Sequence, residues 1–392
     1  MFTGVGLDDL TKILILAATT DTLRPIYQGI IRLQILEFLL NAIEAGQEII
    51  DLGEFGVWHL AKMGKASGYL IKLQNKSRGL VLLFRSYYTT VDKKGSHLKI
   101  EVSPHAIRQQ SVDDLQNSLD KIADWLLKEA EPAGVAVHLA VDVQNWIFPK
   151  DFQDRFVTHA SVQRRHDGII KAKFETLSKV AVTYGNTETI TFGKPNALQV
   201  CVYRKDLALI KDDKVDEFHA LWKEEAGDKF DPKSPVWRVE LRFHQRVIKD
   251  IGRGLGKPLL TWKQVFRHLT DIWRYGLRRN RLDQNSVYID PFWQLLMEDV
   301  AFLTPATGVT IRRKRKADVT AIDHNLSMVV GNLITIFARQ GLKASKAVAH
   351  FKKAGFYEEL LISYRSKGLT EGDLYQKVEK GLALRRMIGK AA

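Results

Sequence analysis

The sequence predicts an α+β protein: an antiparallel sheet covered by helices, followed by an all-α C-terminal domain. Three observations carry this. Up to residue 252, β-rich runs joined by short turns alternate with single helical segments. Beyond Gly252-Arg-Gly-Leu-Gly256-Lys-Pro258 the β signal nearly vanishes. Apolar residues make up 45% and charged residues 27% of the chain, a globular balance that excludes disorder as the main state. The length of 392 residues points to two or three domains, or to one large core with an appendage. The expected bounds are 1–252 for the α+β domain and 258–392 for the helical one.

The elements follow in order. Residues 21–29 read as a short strand, which Pro25 would place at an edge or a bulge. Leu33, Leu36, Leu39, Leu40 and Ile43 recur at helical period, and Gly46 is a stop. Residues 80–89 and 98–102 are β-rich and flank the turn Asp92-Lys-Lys-Gly95. Ser111-Val-Asp-Asp114 opens a helix whose stripe is Leu115, Leu119, Ile122 and Leu126. After Pro132 and Gly134, residues 135–143 read as a buried strand. Residues 187–192 and 198–203 pair around Gly193-Lys-Pro-Asn196. A short helix is expected over 216–226 and an alternating strand over 236–247. Helices are expected over 262–277, 292–303, 325–341, 344–354, 358–366 and 370–387. There is no internal sequence repeat.

Charge and composition narrow the function classes. The chain carries 59 Lys+Arg against 45 Asp+Glu, a formal +14, which points to a polyanionic partner. The apolar run over 13–18 is far short of the roughly 20 residues of a membrane span. It lacks a basic flank, so no signal peptide is expected. One cysteine, Cys201, excludes an internal disulfide framework and a Cys-rich zinc site. A cytoplasmic setting with no membrane partner is the expectation.

Four constellations could carry chemistry. In Val137-His138-Leu-Ala-Val-Asp142, strand alternation puts His138, Ala140 and Asp142 on one face. That face offers two ligands to a hard divalent cation, or simply the polar end of a strand. In Trp237-Arg238-Val-Glu240-Leu-Arg242-Phe243, Arg238, Glu240 and Arg242 share a face. They form either a solvated salt-bridged surface or a metal carboxylate flanked by phosphate-holding guanidiniums. Tyr203 ends an apolar strand and is followed at once by Arg204 and Lys205. It is either a phosphodiester-attacking nucleophile helped by those cations or a packed strand-end tyrosine. The stretch 238–281 holds twelve Lys/Arg against three Asp/Glu, with Trp262, Trp273 and Tyr275 interleaved. With the run Arg312, Arg313, Lys314, Arg315 and Lys316 on an expected loop, it suits a nucleic-acid backbone. The alternative for that run is a solvated linker. Gly252-Arg-Gly-Leu-Gly256 lacks the strand–turn–helix context of a phosphate loop.

The order of these motifs resembles the rolling-circle replication initiators of the plasmid and phage replication initiation factor family, which includes relatives acting as conjugative relaxases. The matching stretches are Asp21-Thr-Leu-Arg-Pro-Ile-Tyr-Gln-Gly29, Leu98-Lys-Ile-Glu-Val-Ser-Pro-His105 and His138-Leu-Ala-Val-Asp142. Thr191-Phe-Gly-Lys-Pro-Asn-Ala-Leu-Gln-Val-Cys-Val-Tyr-Arg-Lys205 and Arg238-Val-Glu-Leu-Arg242 complete the set, spanning about 20–250. The resemblance implies an enzyme that nicks DNA and transfers the strand. A tyrosine attacks with the help of Mg or Mn, leaving a 5′-phosphotyrosine and a 3′-OH primer. It puts the nucleophile and its lysine on Tyr203 and Lys205, and the metal on Glu240, Asp142 and His138. His138 stands where many members carry an acid, and Ala208 stands where an acid often follows the tyrosine.

The expected function is therefore replication initiation by metal-assisted nicking. Arg204, Arg238, Arg242 and the 312–316 run would contact the DNA. Origin DNA, single-stranded or hairpin, is the expected partner, with host helicase, polymerase and a second copy of the chain as further candidates. Tyr184, Tyr87 and Tyr88 are the other candidate nucleophiles. The competing expectations are a non-catalytic plasmid or phage DNA-binding regulator and an RNA-binding protein with a ferredoxin-like sheet. The latter lacks its expected strand aromatics.

Overall fold

The computed structural model describes residues 10–160, 162–166, 189–315, 321–366 and 368–390. Tyr184 and Lys316 lie outside the described residues. The chain divides into two compact units, Met1–Lys314 and Arg315–Ala392.

The strands of the first unit are β1 (Leu14–Ile31), β2 (Ile49–Asp51), β3 (Val57–Lys62), β4 (Tyr69–Asn75) and β5 (Leu80–Ser86). They continue with β6 (Gly95–Val102), β7 (Leu127–Gln144), β8 (Phe156–Thr158), β9 (Gln163–His166) and β10 (Thr189–Phe192). The last are β11 (Leu198–Arg204), β12 (Val236–Phe243) and β13 (Asn280–Leu282). Eleven of them form one sheet in the order β2-β3-β4-β5-β6-β1-β7-β12-β11-β10-β9. Every pairing in it is antiparallel. Outward from the central pair, one side runs β1-β6-β5-β4-β3 and the other β7-β12-β11-β10-β9. The two halves thus share one strand order, although no sequence repeat accompanies it. The mixed α/β architecture with a large antiparallel sheet agrees with the expected class.

The segment 21–29 belongs to the long central strand β1, not to an edge. The preceding Leu14-Ile-Leu-Ala-Ala-Thr-Thr20 is apolar and β-branched enough to extend it. Pro25 sits opposite Val135, with a register shift immediately beyond, at Ile26/Tyr27. The shift accommodates a residue that cannot donate to a ladder.

Helices pack on the sheet face that carries Val137, Leu241 and Phe243. The helix Val112–Leu126 is capped by the Ser111 side chain accepting from the Asp114 N–H, and buries Leu115, Leu119, Ile122 and Leu126. The helix Leu269–Arg279 approaches β12 through Gly276. A β-carbon at that glycine would stand 2.4 Å from Leu241 Cδ1 and 2.8 Å from Phe243 Cζ.

The expected boundary at 252–258 is not a boundary. Leu259, Trp262, Leu269, Trp273, Phe292 and Phe302 share one core with Val137, Leu241 and Phe243 of the sheet. Gly252 serves a tight turn, since a β-carbon there would meet the Lys257 carbonyl oxygen at 2.8 Å. The helices Trp262–Phe266, Leu269–Arg279 and Pro291–Glu298 therefore belong to the first unit, and the division falls at Lys314/Arg315.

The second unit contains the helices Ala321–Arg339, Ala344–Lys352, Tyr357–Arg365 and Glu371–Lys390. Its own apolar cluster includes Val330, Ile334, Phe351, Leu360 and Val378.

Candidate functional site

Strand alternation and register build the site. On β7, β12 and β11 the residues facing one side are His138, Ala140 and Asp142; Arg242, Glu240 and Arg238; and Gln199, Cys201 and Tyr203. Across the ladders Arg238 stands opposite both Asp142 and Tyr203, Glu240 opposite Ala140 and Cys201, and Arg242 opposite His138 and Gln199. The small Ala140 and Cys201 flank the Glu240 carboxylate. On β1 the register shifts between Thr20 and Thr22, at Asp21.

Two linked centres result. In one, Glu240 is 1% exposed. It accepts from Arg242 Nε at 2.7 Å and Nη2 at 3.0 Å, and from the Tyr203 hydroxyl at 3.1 Å. His138 Nδ1 lies 3.3 Å from Glu240 Oε1, and Arg24 Nη1 lies 3.4 Å from His138 Nε2. In the other, the fully buried Arg238 donates to Asp142 at 2.5 and 2.7 Å and to Asp21. The Trp222 indole donates to Asp142 at 2.9 Å. The helices Lys205–Asp212 and Val215–Ala226 close this end of the face. The Phe218 ring lies 5.2 Å from the Arg238 guanidinium carbon and 4.2 Å from Lys205 Nζ.

Electrostatics follow from burial and pairing. Burial raises the Glu240 carboxyl, but Arg242 and the His138 hydrogen bond outweigh it and hold it well below the usual carboxylate range. Burial and then the Glu240 charge push the Tyr203 phenol well above its ordinary value. Burial and then repulsion from Arg238 bring the Lys205 ammonium down to about 8, against the pull of Asp21, Asp142 and Glu240.

These facts correct several expectations. The cations near Tyr203 do not depress its phenol, because burial and Glu240 dominate. Asp142 does not converge with His138 and Glu240 on one point, and Arg238 and Trp222 hold its oxygens. Arg238 cannot meet DNA, because it has no exposed surface. Arg204 forms a fork with Asp206 at 2.8 and 2.5 Å. Arg313 pairs with Asp250 at 2.7 Å, whereas Arg312, Lys314 and Arg315 are exposed on irregular backbone. Lys205 is buried. Tyr87 donates to the Met63 carbonyl at 2.8 Å, and Tyr88 is 83% exposed beyond the end of β5.

Asp21 takes the place expected of Asp142. Asp21, His138 and Glu240 each offer a ligand atom, all within 4.8 Å of one another. Two carboxylate oxygens and one imidazole nitrogen are a donor set that can hold a divalent metal ion. The trio opens on a cleft of about 350 Å³ that Arg24, Lys99 and Arg242 also line. Tyr203 lies beneath, clustered with Cys201 and with Ala208 of the helix Lys205–Asp212. The sequence signal for Asp21 is an acid inside an otherwise Thr-rich strand run, Thr19-Thr-Asp-Thr22. Arg24 and Lys99 carry no such signal.

No described helix is long and apolar enough to cross a membrane. No family model and no solved structure matches the chain. "Uncharacterized protein ORF430" of Pseudomonas phage Pf1 is 31% identical over 389 residues, covering 95% of this chain and 89% of that protein. A likeness of that depth over nearly the whole length places the chain in the family of the phage Pf1 protein ORF430.

Proposed function

We propose that the protein is a replication initiator that nicks origin DNA through Tyr203, with a fold of the rolling-circle-initiator type. The observation that carries this is the hydrogen bond between the Tyr203 hydroxyl and Glu240, a carboxylate that also belongs to the Asp21–His138–Glu240 trio. The net charge of +14 and a phage relative support the same reading.

In this reading Asp21, His138 and Glu240 would hold Mg or Mn. The bound ion would supply charge withdrawal from the non-bridging oxygens of the scissile phosphate. Arg24, Lys99 and Arg242 line the cleft and would seat the backbone. The Tyr203 oxygen bonds to phosphorus as the bond from phosphorus to the 3′ oxygen breaks. The phenolic proton leaves to solvent, since Glu240 is held too acidic to keep it, and the departing 3′ oxygen is protonated from solvent. Tyr203 must first emerge from beneath the helix Lys205–Asp212, which packs on it through Ala208.

The test incubates the full chain with Mn and single-stranded oligonucleotides from its own replicon, followed by denaturing gels. A covalent adduct is expected, lost in Tyr203→Phe. Glu240→Ala should lose cleavage and keep DNA binding, and Asp21→Asn should weaken Mn binding measured by calorimetry. The second reading, a non-catalytic DNA-binding regulator, is favoured by the burial and raised phenol of Tyr203. Tight DNA binding without any adduct would select it and refute the nicking enzyme.

A further inference from the structure

A second cleft, of about 420 Å³, is lined by Arg274, Arg278, Arg281, Ile289, Met297 and Glu298. Arg274 and Arg278 are one turn apart on the helix Leu269–Arg279 and share a face. Gly276 lies midway between them, so it projects from the opposite side of the helix. That glycine rests on Leu241 and Phe243, whose side chains point away from Glu240 and Arg242. The arginines therefore lie behind the sheet, on the far side from the Tyr203–Glu240 site.

The charge in this cleft is poorly compensated. Among the described residues no carboxylate pairs with Arg274 or Arg278, and Arg278 is exposed. Arg274 donates Nη2 to the Glu298 carbonyl at 2.8 Å, while its buried Nε has no hydrogen-bond partner. A buried guanidinium N–H without an acceptor is costly to leave unmade. Arg281 forms a fork with Asp283, one bond at 2.7 Å. Glu298, the one acid lining the cleft, accepts from Gln294 Nε2 at 3.0 Å. Ile289 and Met297 add an apolar patch suited to a base or sugar.

We propose that this cleft binds nucleotide phosphate, with the arginines on the phosphate oxygens and Ile289 and Met297 against the base or sugar. The phosphate belongs either to a polynucleotide backbone or to a free nucleotide, and the two sources share this chemistry. The site does not depend on Tyr203 chemistry. It gives a function to three of the twelve cations in the basic stretch 238–281.

The test uses the full chain, its Arg278→Gln variant and the Arg274→Gln/Arg278→Gln double variant, with tryptophan fluorescence checking that each is folded. Binding of a labelled single-stranded oligonucleotide is followed by anisotropy across salt concentrations, and ATP binding by calorimetry. A backbone site predicts that the slope of log K against log salt falls by about 0.7 per arginine removed. A free-nucleotide site predicts ATP binding that is lost in Arg278→Gln while the DNA slope stays unchanged. Unchanged DNA slope together with unchanged or absent ATP binding in all three proteins overturns the proposal. A persisting DNA adduct in Arg278→Gln leaves the nicking reading intact, so the two readings fail separately.

Discussion

Lys205 is a buried cation whose charge the fold strains to hold, and Lys205→Met tests that. Methionine keeps the aliphatic stem near Phe218, which the ammonium now overlies at 4.2 Å. The ammonium titrates at about 8 rather than 10.5. At about 1.4 kcal/mol per pH unit, keeping it charged costs roughly 3 kcal/mol of stability. Below about pH 8 the folded and unfolded chains both carry the proton, and the cost is complete. Between about pH 8 and 10.5 the unfolded chain binds the extra proton, so this contribution to stability rises with pH. At about pH 9.5 roughly 2 kcal/mol of the cost is relieved. Lys205→Met should thus exceed the wild type by about 3 kcal/mol near pH 7 and by about 1 near pH 9.5. Urea unfolding followed by tryptophan fluorescence measures this for the first unit alone, because all 8 tryptophans precede residue 315. An equal gap at both pH values, or a variant less stable at neutral pH, would refute the reasoning. Lys205 would then be a stabilising partner of Asp21, Asp142 and Glu240.

Two further substitutions probe the packing that holds the site. Arg238→Met leaves the Asp142 carboxylate buried with only Trp222 as a donor. It should cost about 3–5 kcal/mol in the same unfolding assay, and a loss under about 1 would show that water or another cation relieves the acid. Gly276→Val forces methyl groups toward Leu241 Cδ1 and Phe243 Cζ. It should cost about 1–3 kcal/mol, and a neutral result would mean that the helix Leu269–Arg279 shifts freely over β12.

The sequence was most legible where the information is local. The alternation in residues 137–143 and 236–243 assigns His138 and Asp142 to one face, and Arg238, Glu240 and Arg242 to another shared face. It does so because side chains of a strand point alternately to its two sides. The cap at Ser111 and the apolar stripe through Leu126 are equally local. Pro25 allowed an edge or a bulge, and a register shift stands beside it, whereas Gly252 suggested a boundary that is not there. Each is a true local signal, of a missing donor and of a tight turn, but neither tells whether the chain then leaves the core.

The sequence by itself determined which side chains share a strand face, because that follows from covalent geometry and a period of two. Only the tertiary structure decided which faces meet. The order β1-β7-β12-β11 brings Asp21 to His138 and Glu240, and spends Asp142 on Arg238. The helix Lys205–Asp212 covers Tyr203, so a residue at the end of an apolar run became a buried phenol on a carboxylate. Strand adjacency and cover depend on contacts between residues as far apart as Asp21 and Arg238, and no local pattern encodes them.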